Sequence, residues 1–152
     1  MTIDPNFFTG RSLHGPDNSL GFVLWRVTHA WQRFLEQRLI PLGLTHLRWA
    51  LLIGLAWLTR EGGEVSQRQL ADFLAMQPMQ VSQVLVAMEK ADLVMRRASV
   101  SDGRAFALAL TPAGEKLLRR AMPVVEAAHG SFFGKQAFAA EGLRAQLLAL
   151  LA

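Results

Sequence analysis

Residues 66–90, SQRQLADFLAMQPMQVSQVLVAMEK, and 93–114, LVMRRASVSDGRAFALALTPAG, decide the fold. Ser66 stands before a short apolar pattern of Leu70, Ala71, Phe73 and Leu74, where its side-chain oxygen can take a free N–H of a helix's first turn. A break at Ala75 to Gln77 follows. Pro78 then suits the first turn of a second helix, where its missing N–H costs nothing. Val81, Leu85 and Met88 supply that helix's inward stripe, and it ends near Ala91 and Asp92. Leu93 to Ser99 and Ala105 to Leu110 read as strands, the second alternating alanines with Phe106, Leu108 and Leu110. The polar run Val100 to Arg104, with Asp102-Gly103 at its tip, is a hairpin signal.

Both flanks read as helices. Upstream, Leu20, Val23, Leu24, Val27, Trp31, Phe34, Leu35 and Leu39 recur every three or four residues, with Ser19 as cap and Pro41 and Gly43 as terminators. Thr45 caps the next helix, which is apolar nearly all round until Glu61-Gly62-Gly63 and therefore belongs inside the domain or between subunits. Glu64 and Val65 predict a short strand. Downstream, Thr111-Pro112 opens a helix through Leu117, Leu118, Met122, Val125 and Ala128, with Pro123 expected to bend it, and residues 137–151 form a last helix. Residues 1–18 lack any period and read as an irregular arm, with Phe7 and Phe8 as docking groups. The fold class is mostly α with a small β wing. A single domain covers 19–152, with a winged helix-turn-helix at 45–111 and flanking helical segments at 19–40 and 112–151.

A helix-turn-helix places its second helix in the major groove of duplex DNA. With Val81, Leu85 and Met88 inward, the opposite face presents Gln80, Gln83 and Ala87, flanked by Gln77 and Ser82. Glutamine matches the donor–acceptor pair on the adenine edge, and alanine can lie against a thymine methyl. Phosphate affinity needs cations, yet Pro78 to Glu89 contain none. The net charge of +4 does not fill that gap, because residues 61–111 hold five bases against six acids. The candidates for contact with DNA among the five bases are Arg68, Arg96, Arg97 and Arg104, the last three bracketing the hairpin tip, where an arginine can reach a minor groove. Asp102 can orient Arg104 through a charge-assisted hydrogen bond.

The runs Ser66–Ala71, Val81–Leu85, Leu93–Arg97, Asp102-Gly103-Arg104 and Leu108-Ala109-Leu110-Thr111-Pro112-Ala113-Gly114 together resemble the MarR family of ligand-responsive bacterial transcriptional regulators. The resemblance covers about residues 19–151. It implies a homodimer built from the first and last two helices, a wing whose Arg104 enters the minor groove with Asp102 in support, and a cytoplasmic regulator of transcription, most simply a repressor at a palindromic operator. It also implies a small aromatic or anionic effector bound between the dimerisation helices and the DNA module. Trp25, Arg26, His29 and Trp49 are the candidates for that pocket, offering stacking surface and charge. The chain departs from the family at Gln83, near which a basic residue is usual, and at Met95, where an acid is common.

Other classes fit less well. The chain has no cysteine, and its four histidines, at 14, 29, 46 and 129, lack ligand spacing, so neither a metal nor another cofactor is expected. No nucleophile elbow or phosphate loop suggests an enzyme. The longest apolar run, Trp49 to Leu58, falls far short of the roughly 20 residues of a membrane helix, and the polar start at Asp4 and Asn6 lacks a signal-peptide pattern, which fits a cytoplasmic protein without a membrane partner. The alternative left open by helix 78–90, which carries no cation before Lys90, is a winged-helix protein-interaction module that does not bind DNA.

Overall fold

The computed structural model describes residues 3–4, 6–7, 9, 15–98, 106–134 and 141–151. Its elements are α1 (Leu20–Leu39), α2 (His46–Thr59), α3 (Gln67–Phe73), α4 (Pro78–Lys90), β1 (Val94–Ala98), β2 (Phe106–Leu110), α5 (Pro112–Phe133) and α6 (Glu141–Ala149). The two strands pair antiparallel from Val94↔Leu110 to Ala98↔Phe106. The wing turn expected at Val100 to Arg104 lies outside the described residues, as do Phe8 and the expected first turn of the last helix.

Helix starts follow from local chemistry. Ser19, Thr45, Ser66 and Thr111 each accept a hydrogen bond from the backbone N–H three residues on. At Ser66 the bond is reciprocated, since Gln69 Oε1 accepts from the Ser66 N–H at 2.8 Å, completing a capping box. Pro78 and Pro112 both occupy first-turn positions. The strand expected at Glu64–Val65 shrinks to one bridge, the Leu108 N–H donating to the Val65 carbonyl at 2.8 Å. Ser66 must already serve as a cap, which leaves no residue to extend the pairing. α5 runs on through Pro123 as one helix.

Leu35 and Leu39 of α1, Leu51, Leu52 and Leu55 of α2, Leu70 of α3, Val81, Leu85 and Met88 of α4, and Leu108 of β2 share one buried cluster with the inner face of α5. Farther out, Trp31 and Phe34 of α1 interleave with Phe132 and Phe133 of α5, ring centroids 5.1 to 5.4 Å apart. That range suits offset aromatic packing and ties the two long helices together.

The wing meets α5 at a tight joint. The Leu93 carbonyl accepts from the Thr111 N–H at 3.2 Å, and the Thr111 hydroxyl donates to the Asp92 carbonyl while accepting from the Gly114 N–H at 3.0 Å. Thr111 is a buried polar residue whose donors and acceptors are thereby met. Gly114 packs directly on this carbonyl: a Cβ there would lie 1.9 Å from the Leu93 oxygen. Replacing Gly114 by Ala gains helix propensity, about 1 kcal/mol, but forces two backbones apart. We expect Gly114→Ala to lower unfolding stability by about 2 kcal/mol in urea titrations, whereas a stabilised variant would mean that the joint yields freely.

His46, in the first turn of α2, is half-buried, and burial lowers its pKa below the ordinary 6.5, partly opposed by the charge of Glu36. The unfolded chain therefore binds the proton more readily than the folded one. Stability should be complete above about pH 6.5 and fall as the pH drops below it. In His46→Gln, the dependence of the urea midpoint on pH between 5 and 7.5 should be shallower than in the parent protein.

Candidate nucleic-acid interface

α4 buries Val81, Leu85 and Met88 completely, as its spacing predicts. Gln77, Gln80 and Gln83 are exposed, whereas Ser82 and Ala87 are half-buried. The outward ridge therefore differs from the expected one. Val84 packs against the core beside the three buried residues and draws Ala87, one turn along the same side, partly inward. In its place Met79, Val86 and Lys90 are exposed, Met79 to 75%. The outward surface of α4 thus combines glutamine amides with two apolar side chains, and Lys90 supplies a cation at its far end. Only the inward stripe was readable from spacing, because the width of a buried face depends on which neighbours cover its margins.

The arginines separate. Arg68 projects from α3 with its side chain 87% exposed, in a loose pairing to Asp72 at 3.9 Å. Arg96 and Arg97 are neighbours on β1, and the pleat sends them to opposite faces. Arg96 turns toward α4, where its guanidinium lies 3.2 Å from Glu89 and 3.4 Å from the Gln67 side-chain oxygen. Arg97 turns the other way, into a cleft of about 650 Å3 between the end of α2 and the start of α5, in the company of Arg60, Glu115 and Arg119. Adjacent in sequence, the two arginines do not form one patch. Asp102 and Arg104 lie outside the described residues.

The expected ligand residues also divide. Trp25, Arg26 and His29 line one cavity of about 570 Å3 with Asp17, Arg33 and Phe132. The rings of Trp25 and His29 lie 4.2 Å apart, tilted by 38°, and His29 Nδ1 sits 2.8 Å from the Trp25 carbonyl. A carbonyl only accepts, so it is Nδ1 that donates in this contact. Arg26 is paired with Asp17 at 2.6 Å. Arg33, seven residues from Arg26 and hence on the same helix face, was not singled out, although that spacing could have found it. Trp49 does not line this cavity: it sits on α2, packed against the core beside His46. Its Nε1–H is buried with no hydrogen-bond partner among the described residues.

The MarR family model matches residues 45–106, from the start of α2 to the start of β2. The uncharacterized regulator YdcH of Bacillus subtilis is 35% identical over 78% of this chain and 81% of its own length. Among solved structures, CouR from Rhodococcus jostii RHA1 bound to p-coumaroyl-CoA superposes with a TM-score of 0.78 at 28% identity, covering 90% of this chain and 94% of CouR. CouR bound to a 23-mer DNA duplex superposes at 0.69 with 25% identity, over 89% and 91%. Rv2887 of Mycobacterium tuberculosis, in complex with salicylic acid, superposes at 0.63 with 30% identity, over 88% and 96%. The helix pair, the antiparallel wing and the flanking long helices agree with these likenesses: the chain belongs to the MarR family of winged-helix DNA-binding transcriptional regulators.

Proposed function

We propose that the protein is a repressor that binds a palindromic operator as a homodimer and leaves it when a small aromatic acid, or the thioester of one, is bound. The observation that carries the DNA half is the exposed ridge of α4, with Gln80 and Gln83 at its centre beside the wing root, in a fold that superposes on CouR bound to duplex DNA. In this reading Gln77, Gln80, Ser82 and Gln83 meet base edges, Arg68 meets phosphate, and Arg104, supported by Asp102, reaches the minor groove. Residues 45–111 form the DNA module and the outer helices form the dimer.

The dimer reading rests on apolar surface. Leu20, Phe22, Trp25 and Val27 of α1 and Leu143 and Leu148 of α6, followed by Leu150 and Leu151, are exposed in the single chain. Exposed large apolar side chains on both of these helices mark association surface. The effector reading rests on the cavity that holds Trp25, Arg26, His29 and Arg33, a stacking surface beside two guanidinium groups, and on the aromatic acid derivatives bound by CouR and Rv2887. The unpartnered indole N–H of Trp49 offers a further buried donor on α2.

The wild-type protein should enrich a palindromic duplex from a randomised pool, with half-sites about one helical turn apart. On that duplex, Arg104→Ala should weaken binding at least tenfold. Arg68→Ala should weaken it on any sequence and flatten the slope of log affinity against log salt by about one per subunit. A flat slope in the parent protein would favour the protein-interaction module instead, a reading that the exposed Met79 and Val86 of α4 also serve. For the effector, salicylate and p-coumaroyl-CoA should raise the melting temperature, and Trp25→Ala should diminish the rise.

A further inference from the structure

Arg96 occupies a position where a phosphate contact is the simplest expectation, yet its guanidinium is already engaged. It lies 3.2 Å from Glu89 near the end of α4 and 3.4 Å from the Gln67 Oε1 at the start of α3. The Gln67 amide in turn donates to the Pro78 carbonyl in the first turn of α4, at 3.4 Å. A single chain of polar contacts therefore runs from the wing strand to α4 near both of its ends. The Arg96–Glu89 pair is also the most sheltered ion pair among the described residues, with side chains 32% and 27% exposed, whereas the other four expose both partners by 45% or more. Shielding from water strengthens such a pair and narrows its geometry.

We propose that Arg96 is a positioning residue that, through Glu89 and Gln67, fixes the orientation of α4 relative to the wing, and that it does not act as a phosphate contact. The proposal rests on the reading of α4 as the groove helix. Two readers of DNA, one in the major groove and one in the adjacent minor groove, gain from simultaneous engagement only when their relative geometry is set beforehand. Were Arg96 to swing out to a phosphate, Glu89 would be left half-buried and unpaired on a surface approaching a polyanion. The other arginines of the module carry no such contradiction: Arg68 is free to meet phosphate, and Arg97 faces away.

The two roles predict opposite behaviour when Glu89 is neutralised. By electrostatics alone, Glu89→Gln removes a negative charge near DNA and should tighten binding. If Arg96 positions α4, it should weaken binding. Full-length wild type, Arg96→Gln, Glu89→Gln and the double variant would be compared by fluorescence anisotropy on the duplex enriched by the wild type and on a scrambled duplex, at several salt concentrations and a temperature at which all four remain folded by circular dichroism. Expected are losses of about tenfold on the enriched duplex for both single variants, no further loss in the double variant, no loss of affinity for the scrambled duplex in any variant and an unchanged salt slope. Tighter or unaltered binding by Glu89→Gln would overturn the proposal, as would equal loss by Arg96→Gln on both duplexes with a flattened slope. A wild-type protein that enriches no duplex would overturn the DNA-binding reading and the positioning role together, which separates that failure from a failure of the positioning role alone.

Discussion

The carbonyl of Leu93 is shared between the Thr111 N–H and the bare Cα face of Gly114, and the geometry of the whole molecule passes through that contact. On one side lie α4 and the strand leaving it, and on the other begins α5, the longest helix. Thr111 closes the joint with its hydroxyl, which reaches back to Asp92 and forward to Gly114. Because Thr111 is buried and its polar groups are paired, the joint has little slack to absorb a change in register. In the proposed dimer, movement of α5 at the subunit interface would be passed to the wing root rather than lost in a flexible linker.

The face that holds α4 and the wing strand is set by a second constraint, the two-residue period of β1. The pleat guarantees that Arg96 and Arg97 part company. The packing of α4 on one face of the sheet then gives Arg96 to Glu89 and leaves Arg97 for the cleft against α2 and α5. A charge count over the segment misses this, since it weighs equally an arginine that is occupied, one that faces away, and one such as Arg68 that stands clear in solvent. The modest basicity of the module is compatible with DNA binding because the number of free cations matters less than their position.

The apolar residues tell a related story. Trp31 and Phe34 meet the phenylalanines of α5 and close the core, whereas Trp25, on the same helix two turns earlier, is exposed beside a cavity that contains two arginines. Helical period places all of them on α1 but does not say where α5 stops covering it. Trp49 diverges for a similar reason: its helix is apolar all round, so periodicity gives it no preferred face, and only the surrounding helices fix where its indole lies.

Much of the fold was legible in the sequence because its signals are local. Ser19, Thr45, Ser66 and Thr111 cap helices through bonds spanning three residues, and Pro78 and Pro112 fit the first turn wherever the helix goes. The inward stripe of α4 was likewise written in its spacing, and the order of elements with the Leu-x-Leu-Thr-x-x-Gly run was enough to suggest the family. Tertiary structure alone decided which face of the sheet receives Arg96, that Ala87 yields its outward place to Met79 and Val86, that the strand before Ser66 is a single bridge, and that Trp49 stands apart from Trp25. Each of these depends on contacts between residues far apart in the chain, where packing and charge pairing choose among arrangements that local periodicity leaves equally allowed.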